Sequence, residues 1–272
     1  MPELPEVEIY RQYLETSSLH QPIDDLDVED PKLLTTNFAD LRAALVGRSF
    51  TGTRRVGKNL FVMTDSPDVT LHMHFGMTGD LAYYHSSLDR PKYARIVFYF
   101  RTGFNLGFIC PRKFERIGLV EDIDTYLQRK KIGLDGLSIS LSELTAQIKP
   151  KKAFIKPVLM DQSTVAGLGN WIVDEVLFQA LIHPEQRANT LTDDQFSALH
   201  RAIRYVLETA IRHEAQYRDF PAGFLIHVRE WDNSPYDDVN AHKFCPRCAT
   251  RIEKTEVGGR TTYFCPKDQK VG

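Results

Sequence analysis

The second and third residues, Pro2 and Glu3, set a nucleophile beside an acid at the start of the chain. Initiator methionine is ordinarily removed before a residue as small as proline. Pro2 would then carry a free secondary amine. An α-amine titrates near pKa 8, about two units below lysine, so part of it is unprotonated at neutral pH. Such an amine can attack an aldehyde-level carbon of a sugar. It yields an iminium directly, an electron sink that eases β-elimination of a 3′-phosphate. Glu3 would give a proton to the ring oxygen or to a leaving base as general acid. The bland alternative is a helix start, where proline and glutamate are both common. With Met1 retained, the nitrogen is a tertiary amide and the chemistry disappears.

Metal chemistry is suggested at the other end. Cys245-Pro246-Arg247-Cys248 is followed after sixteen residues by Cys265-Pro266-Lys267-Asp268. A cysteine at 268 would complete a zinc-ribbon spacing. A carboxylate oxygen can ligate zinc, so Cys245, Cys248, Cys265 and Asp268 can form a site weaker and more exchangeable than four thiolates. A metal-free ribbon, or His242 as substitute ligand, are the alternatives. A third feature is Gly167-Leu168-Gly169-Asn170 between two helical patterns. Glycines permit a tight turn and close approach, and the N–H groups of the helix opening at Asn170 attract phosphate. On its own that signal is weak.

The elements that must position these groups read as follows. Residues 3–17 fit an amphipathic helix, with Leu4, Val7 and Leu14 near one stripe and Glu3, Glu6 and Glu8 in the first turn. From about 48 to 121 short β-branched and aromatic runs alternate with turn residues, which predicts a β-sandwich or barrel. KIGLDGLSIS (131–140) reads as a linker. Beyond it the period turns helical, with Ser142 and Thr192 as N-terminal signals. The last 30 residues read as short strands around cysteine turns. The expected fold is therefore α+β and multidomain. An N-terminal β-sandwich with its own helix occupies 1–130, a helical module 141–236, and a zinc-ribbon-like β-hairpin 237–272.

Composition narrows the class without deciding it. The chain has 272 residues, 42% of them hydrophobic, and a net charge of −2, so overall charge does not point to nucleic acid. The charges are uneven: 24–30 holds five acids, while 241–272 holds seven Lys/Arg against three acids. No apolar run is long enough to span a bilayer, MPELPEVEIY lacks the features of a signal peptide, and four cysteines do not resemble a secreted disulfide framework. The expectation is a cytoplasmic protein, with no internal repeat.

Met1-Pro2-Glu3-Leu4-Pro5-Glu6-Val7-Glu8 resembles the opening of the formamidopyrimidine-DNA glycosylase family, and the resemblance runs through the whole chain in five motifs. It implies that Pro2 is the nucleophile and Glu3 the acid, and it adds Glu6 to the DNA-contacting candidates. His72-Met73-His74-Phe75-Gly76-Met77-Thr78-Gly79 is similar to the family loop H-L-G-M-S-G. That places His74 at the DNA and Met77 in the gap left by an extruded base. Cys110-Pro111-Arg112-Lys113-Phe114 is similar to D-P-R-R-F. Arg112 would then bond the orphaned cytosine and Phe114 would wedge between base pairs. Both apolar residues are otherwise expected in the core. Cys110 stands where the family has Asp and Glu115 where it has Gly, and Cys110 is expected to be a buried structural thiol.

The resemblance further implies that Lys58 and Asn170 bind phosphates near the lesion. Arg260, at the Gly258-Gly259-Arg260 hairpin tip, would clamp another, and Glu175 would help set the N-terminus. Arg218-Asp219-Phe220 resembles the start of a loop covering the flipped base. The implied activity is a bifunctional glycosylase and abasic-site lyase acting on double-stranded DNA. It would remove formamidopyrimidines, with 8-oxoguanine plausible, as a monomer with one structural zinc and no redox cofactor or magnesium. Rival readings are a related glycosylase for oxidised pyrimidines, a catalytically idle damage-binding protein, and a generic zinc-ribbon interaction module.

Overall fold

The computed structural model of the chain describes residues 1–229 and 244–270, so His242 lies outside the described residues. It divides into two compact units, Met1–Lys131 and Ile132–Gly272.

The first unit opens with α1 (Leu4–Ser18). Then come β1 (Ile23–Val28), α2 (Phe38–Leu45), β2 (Phe50–Val56), β3 (Asn59–Thr64), β4 (Thr70–His74) and β5 (Asp80–Tyr84). β6 (Ala94–Phe100), β7 (Asn105–Ile109), β8 (Arg116–Val120) and α3 (Ile123–Arg129) complete it. Two four-stranded antiparallel sheets form, in orders β1-β6-β7-β5 and β2-β3-β4-β8. Their inner faces supply one core that includes Phe50, Leu60, Met73, Ile96, Phe98 and Phe108, with Val7 and Leu14 of α1 packed into it. Phe50 meets Phe98 edge-on at 5.6 Å. This is the expected sandwich rather than a barrel: each sheet keeps two edges, and burial of side chains of this size, about 1.5–3 kcal/mol each, holds the layers together.

Three elements escape the sequence pattern. β1 lies inside the acidic run, where strand propensity is poor, yet buried Ile23 and Leu26 commit it to the core. The acids of that run are offset one by one: Asp24 by Arg101, Asp25 by Arg42, Asp27 by Arg90, Glu29 by Arg95 and Asp30 by Lys113. The helices α2 and α3 are short and weakly patterned, and their caps Asn37 and Asp122 are their clearest local signals.

The second unit holds β9 (Leu134–Asp135), α4 (Leu141–Ile148), α5 (Ile155–Met160), β10 (Val165–Ala166), α6 (Asn170–Ala180) and α7 (Asp193–Arg212). A hairpin of β11 (Glu253–Val257) and β12 (Arg260–Phe264) follows. The 131–140 segment contains β9, whose parallel pairing with β10 ties it into this unit, so it is structured rather than a plain linker. The cap of α4 is Ser140, in a capping box with Glu143, not Ser142; the pattern starts two residues earlier than its apolar periodicity suggests. Thr192 caps α7 as expected, in a box with Gln195. Among the described residues no helix is long and apolar enough to cross a membrane.

Candidate functional site

Glu3 is the N-cap of α1, paired reciprocally with Glu6 in a capping box, so Pro2 is the residue just before the helix. The Glu3 N–H donates to Glu6 Oε2 at 3.0 Å, and the Glu3 side chain is 3% exposed. Glu6 therefore fixes the backbone on which Pro2 stands. Two residues on, Glu8 joins α1 to the β2–β3 turn. Its carboxylate accepts from Arg11 (2.7 Å) and Arg55 (2.8 Å), and Arg55 in turn donates to the carbonyl of Gly57 (3.1 Å). Burial pushes the Glu8 carboxyl up, but its bonds to Arg11 and Arg55 outweigh that and hold it below the usual range. Gly57, at φ +58°, makes the two-residue turn that presents Lys58. Sequence reasoning missed Glu8 and Arg55; no local motif marks them, because they act across two elements.

His74 lies in register with Asn59 on one side and Arg116 on the other. Burial, then the neighbouring Lys58 and Arg116 cations, lower its pKa. Its Nδ1 accepts from the Gly76 N–H at 3.2 Å, which places the proton of the neutral ring on Nε2. His72, by contrast, is a satisfied core histidine, bonded to Asn59 at 2.9 Å and pushed down to about 3 by burial.

Met77 and Phe114 are not core residues. They are 40% and 52% exposed, in a unit whose other large apolar side chains are mostly buried. Arg112 lies over the Phe114 ring at 5.3 Å. Large apolar groups held out in water beside a guanidinium suit insertion into a base stack. Cys110 is fully buried, and burial raises its pKa, so it is the structural thiol expected.

In the second unit, the loop between α5 and α6 is braced by Gln162. Its side chain accepts from the Gly167 N–H (2.9 Å) and donates to the Leu168 carbonyl (2.7 Å). Gly167 sits at φ +104°, which a side chain would strain. Asn170 then opens α6 and donates to the carbonyl of Thr261 at 3.0 Å. Lys156, fully buried, donates to the same carbonyl at 2.9 Å, to Thr262 Oγ1 at 2.7 Å and to Asp174 at 2.7 Å. Arg229 pairs with the other oxygen of Asp174. Exposed Arg260 is the residue before Thr261, so this network brings Asn170 and Arg260 together and fixes the strand that carries the arginine. Gly258 and Gly259, at φ +61° and +73°, form the tip. Lys156 was not legible as functional, since a lysine in a helical run normally faces solvent.

Within the second unit, Glu175 of α6 holds the segment around Leu225 and Ile226. Its oxygens accept from the backbone N–H groups of Leu225 (3.1 Å) and Ile226 (2.9 Å), with Gln179 donating at 2.7 Å. Phe220 just upstream is buried among Trp171, Tyr217 and Phe224. Burial pushes Glu175 up to about 7 despite these donors. Its value in the unfolded chain is near 4.5, so between about pH 4.5 and 7 the folded protein binds the extra proton. Stability from this group is therefore full below the lower value and declines as pH rises to the upper one. We expect denaturant-derived stability to fall by a few kcal/mol across that window. Glu175→Gln should remove most of the slope; an unchanged slope would refute the assignment.

The ligand atoms of Cys245, Cys248, Cys265 and Asp268 all lie within 4.8 Å of one another. Cys245 Sγ is 3.5 Å from Asp268 Oδ2, and Cys248 Sγ is 3.5 Å from Cys265 Sγ. Zn–S bonds of about 2.3 Å and Zn–O bonds of about 2.1 Å in a tetrahedron require separations of this size. The four residues fit a structural zinc site. Cys245 and Cys265 also pack against Phe178 of α6, so the metal cluster and the helix share a core.

Comparison with known proteins covers nearly the whole chain. Residues 1–117 match the family model for the formamidopyrimidine-DNA glycosylase N-terminal domain, and 132–220 that for its H2TH domain. Residues 243–271 match a zinc finger found in FPG and IleRS. A formamidopyrimidine-DNA glycosylase of Pelotomaculum thermopropionicum is 33% identical, over 100% of both chains. One from Arabidopsis thaliana is 32% identical over 100% of this chain and 71% of its own. Among solved structures, a Lactococcus lactis Fpg non-covalently bound to DNA containing an AP site superposes with TM-score 0.86 at 31% identity, covering 98% of this chain and 99% of that one. A MutM complex with carbocyclic 8-oxo-G DNA also gives 0.86, at 30% identity, covering 99% and 100%.

Proposed function

Because this chain belongs to the formamidopyrimidine-DNA glycosylase family, we propose that Pro2, freed of Met1, is the nucleophile of a bifunctional base-excision enzyme. The protein is a DNA glycosylase for oxidised purines with the lyase activity typical of the family. Pro2 attacks C1′ of a flipped damaged nucleotide, Glu3 supplies the proton for departure of the base, and the iminium drives β- and then δ-elimination. The observation that carries this reading is the placement of Pro2 and a buried Glu3 at the mouth of α1, in a chain related to these enzymes over its whole length.

The other roles follow the chemistry of each side chain. Lys58 and His74 approach phosphate near the lesion. Met77 fills the gap in the stack, Arg112 bonds the orphaned base and Phe114 wedges beside it. Together these offset an unstacking cost of a few kcal/mol. Asn170, with the N–H groups of α6, and Arg260 grip phosphates. Cys245, Cys248, Cys265 and Asp268 would hold the zinc, which would supply structure to the hairpin and no chemistry of the reaction. Residues 1–130 carry the chemistry, while 141–236 and 237–272 hold double-stranded DNA. We assign the protein a cytoplasmic, nucleoid-associated site of action and a monomeric state.

The test uses the Met1-processed protein on duplexes carrying a formamidopyrimidine, 8-oxoguanine or thymine glycol. Purine release with a one-nucleotide gap is expected, and borohydride should trap a covalent adduct whose cross-link maps to Pro2. Preferential release of thymine glycol would favour a pyrimidine enzyme. DNA binding without any adduct would leave only a damage-binding role.

A further inference from the structure

Glu115 is fully buried, yet among the described residues its carboxylate has a single donor: Thr78 Oγ1, at 3.2 Å from Oε1. Its Oε2 has no partner among the described residues. An apolar side chain of similar volume would fill this space without burying polar oxygens, so core stability does not explain the residue. What it does achieve is a link between two loops. Thr78 follows Met77, and Glu115 follows Phe114.

The surrounding backbone is fitted to the same junction. A Cβ on Gly76 would come within 2.7 Å of the Phe114 carbonyl carbon and 2.8 Å of the Glu115 nitrogen. One on Gly79 would meet Glu115 Cγ at 2.8 Å. Only glycines let the two loops sit this close. Tyr10 of α1 donates to the Gly79 carbonyl at 3.2 Å and packs on Phe75 at 4.5 Å, which carries the linkage back to the helix that begins beside Pro2. Arg116 holds the far side of the wedge loop, donating to the carbonyls of Glu115 (2.6 Å) and Lys113 (3.1 Å). Lys113 in turn bonds Asp30 at 2.7 Å.

We propose that Glu115 is a positioning residue for base extrusion: its buried carboxylate, bonded to Thr78, locks the Met77 loop and the Arg112–Phe114 loop into one insert that enters the stack as a unit. The proposal rests on the functional reading above. An insert of fixed register matters when a stacked base must be displaced and much less once the base is gone. Loss of the lock therefore slows base release from an intact lesion and spares cleavage of a ready-made abasic site.

The experiment compares single-turnover base release from a formamidopyrimidine duplex with lyase cleavage of an abasic duplex, for Thr78→Val, Glu115→Met, their double mutant and Glu115→Gln. Thr78→Val and Glu115→Met should each slow base release about tenfold and leave abasic cleavage within about twofold; the double mutant should be no slower than either single, because both remove one contact. Glu115→Gln keeps an acceptor for Thr78 and should stay within about threefold of the parent. Thr78→Val removes one hydroxyl at the surface and keeps the fold safe. Unchanged base release, equal loss of both activities, or additive single effects would each overturn the proposal. A parent protein that neither releases base nor forms an adduct would overturn the functional reading instead.

Discussion

A protein whose Pro2 nitrogen stays acylated is expected to lose base excision and strand cleavage together, whereas Glu3→Gln should lose the first and keep most of the second. Pro2→Gln leaves a residue too large for removal of Met1, so no secondary amine forms and borohydride should trap nothing. Glu3→Gln is gentler on the fold. An amide oxygen can accept the same helix N–H as the carboxylate, so the cap of α1 survives. Only the transferable proton is gone. General acid catalysis contributes about 10²–10⁴-fold, and base release should fall by that factor. Abasic-site cleavage, which needs the amine but no departing base, should remain within about tenfold. Rates on paired formamidopyrimidine and abasic duplexes decide it. Equal losses in Glu3→Gln, or residual cleavage by the acylated protein, would remove Pro2 and Glu3 from the roles given to them.

That contrast depends on a region unusually open to sequence reading. The helix behind Pro2, the strands between 48 and 121 and the cap at Thr192 all rest on local patterns, and each appears where the pattern sets it. The metal set was equally local, since four ligands in two short turns have little freedom of placement. What escaped reading is non-local. Glu8 and Arg55 are ordinary in their own segments and become a brace only when α1 lies against β2. Lys156 reads as a solvent-facing helical lysine until β12 closes over it. β1 looks too acidic to be a strand because the partners of the acidic run it overlaps, Arg42, Arg90, Arg95 and Lys113, are scattered over later elements. Met77 and Phe114 expose the opposite failure. Hydrophobicity alone assigns them to the core, and the correct surface placement came from family resemblance, not from physical pattern. Groups whose role is to meet a ligand obey the ligand's chemistry, and a pattern tuned to folding misreads them.

The metal carries the second large expectation. Structural zinc in small fingers contributes about 10–16 kcal/mol to folding, more than a short two-stranded hairpin can supply alone. Here the hairpin has further anchors, namely Lys156, Asn170 and the Phe178 core, so zinc loss should release its cysteine end before its tip. Arg260 stands on the strand that leads straight into Cys265, and its aim depends on that strand. Cys265→Ser, or stripping with a strong chelator, should therefore weaken binding to abasic duplex about a hundredfold. It should also flatten the dependence of log affinity on log salt by about one, as one phosphate contact is lost. Arg260→Ala should reproduce the salt effect without unfolding the ribbon. Asp268→Cys supplies the softer ligand and should slow zinc loss to chelator by about tenfold while leaving DNA affinity near that of the parent. The readouts are zinc stoichiometry, chelator kinetics and salt-dependent binding. Protein that purifies without stoichiometric zinc, or chelated protein that binds DNA unchanged, would show that the hairpin holds Arg260 by packing alone and that the carboxylate at 268 marks a ribbon no longer reliant on metal.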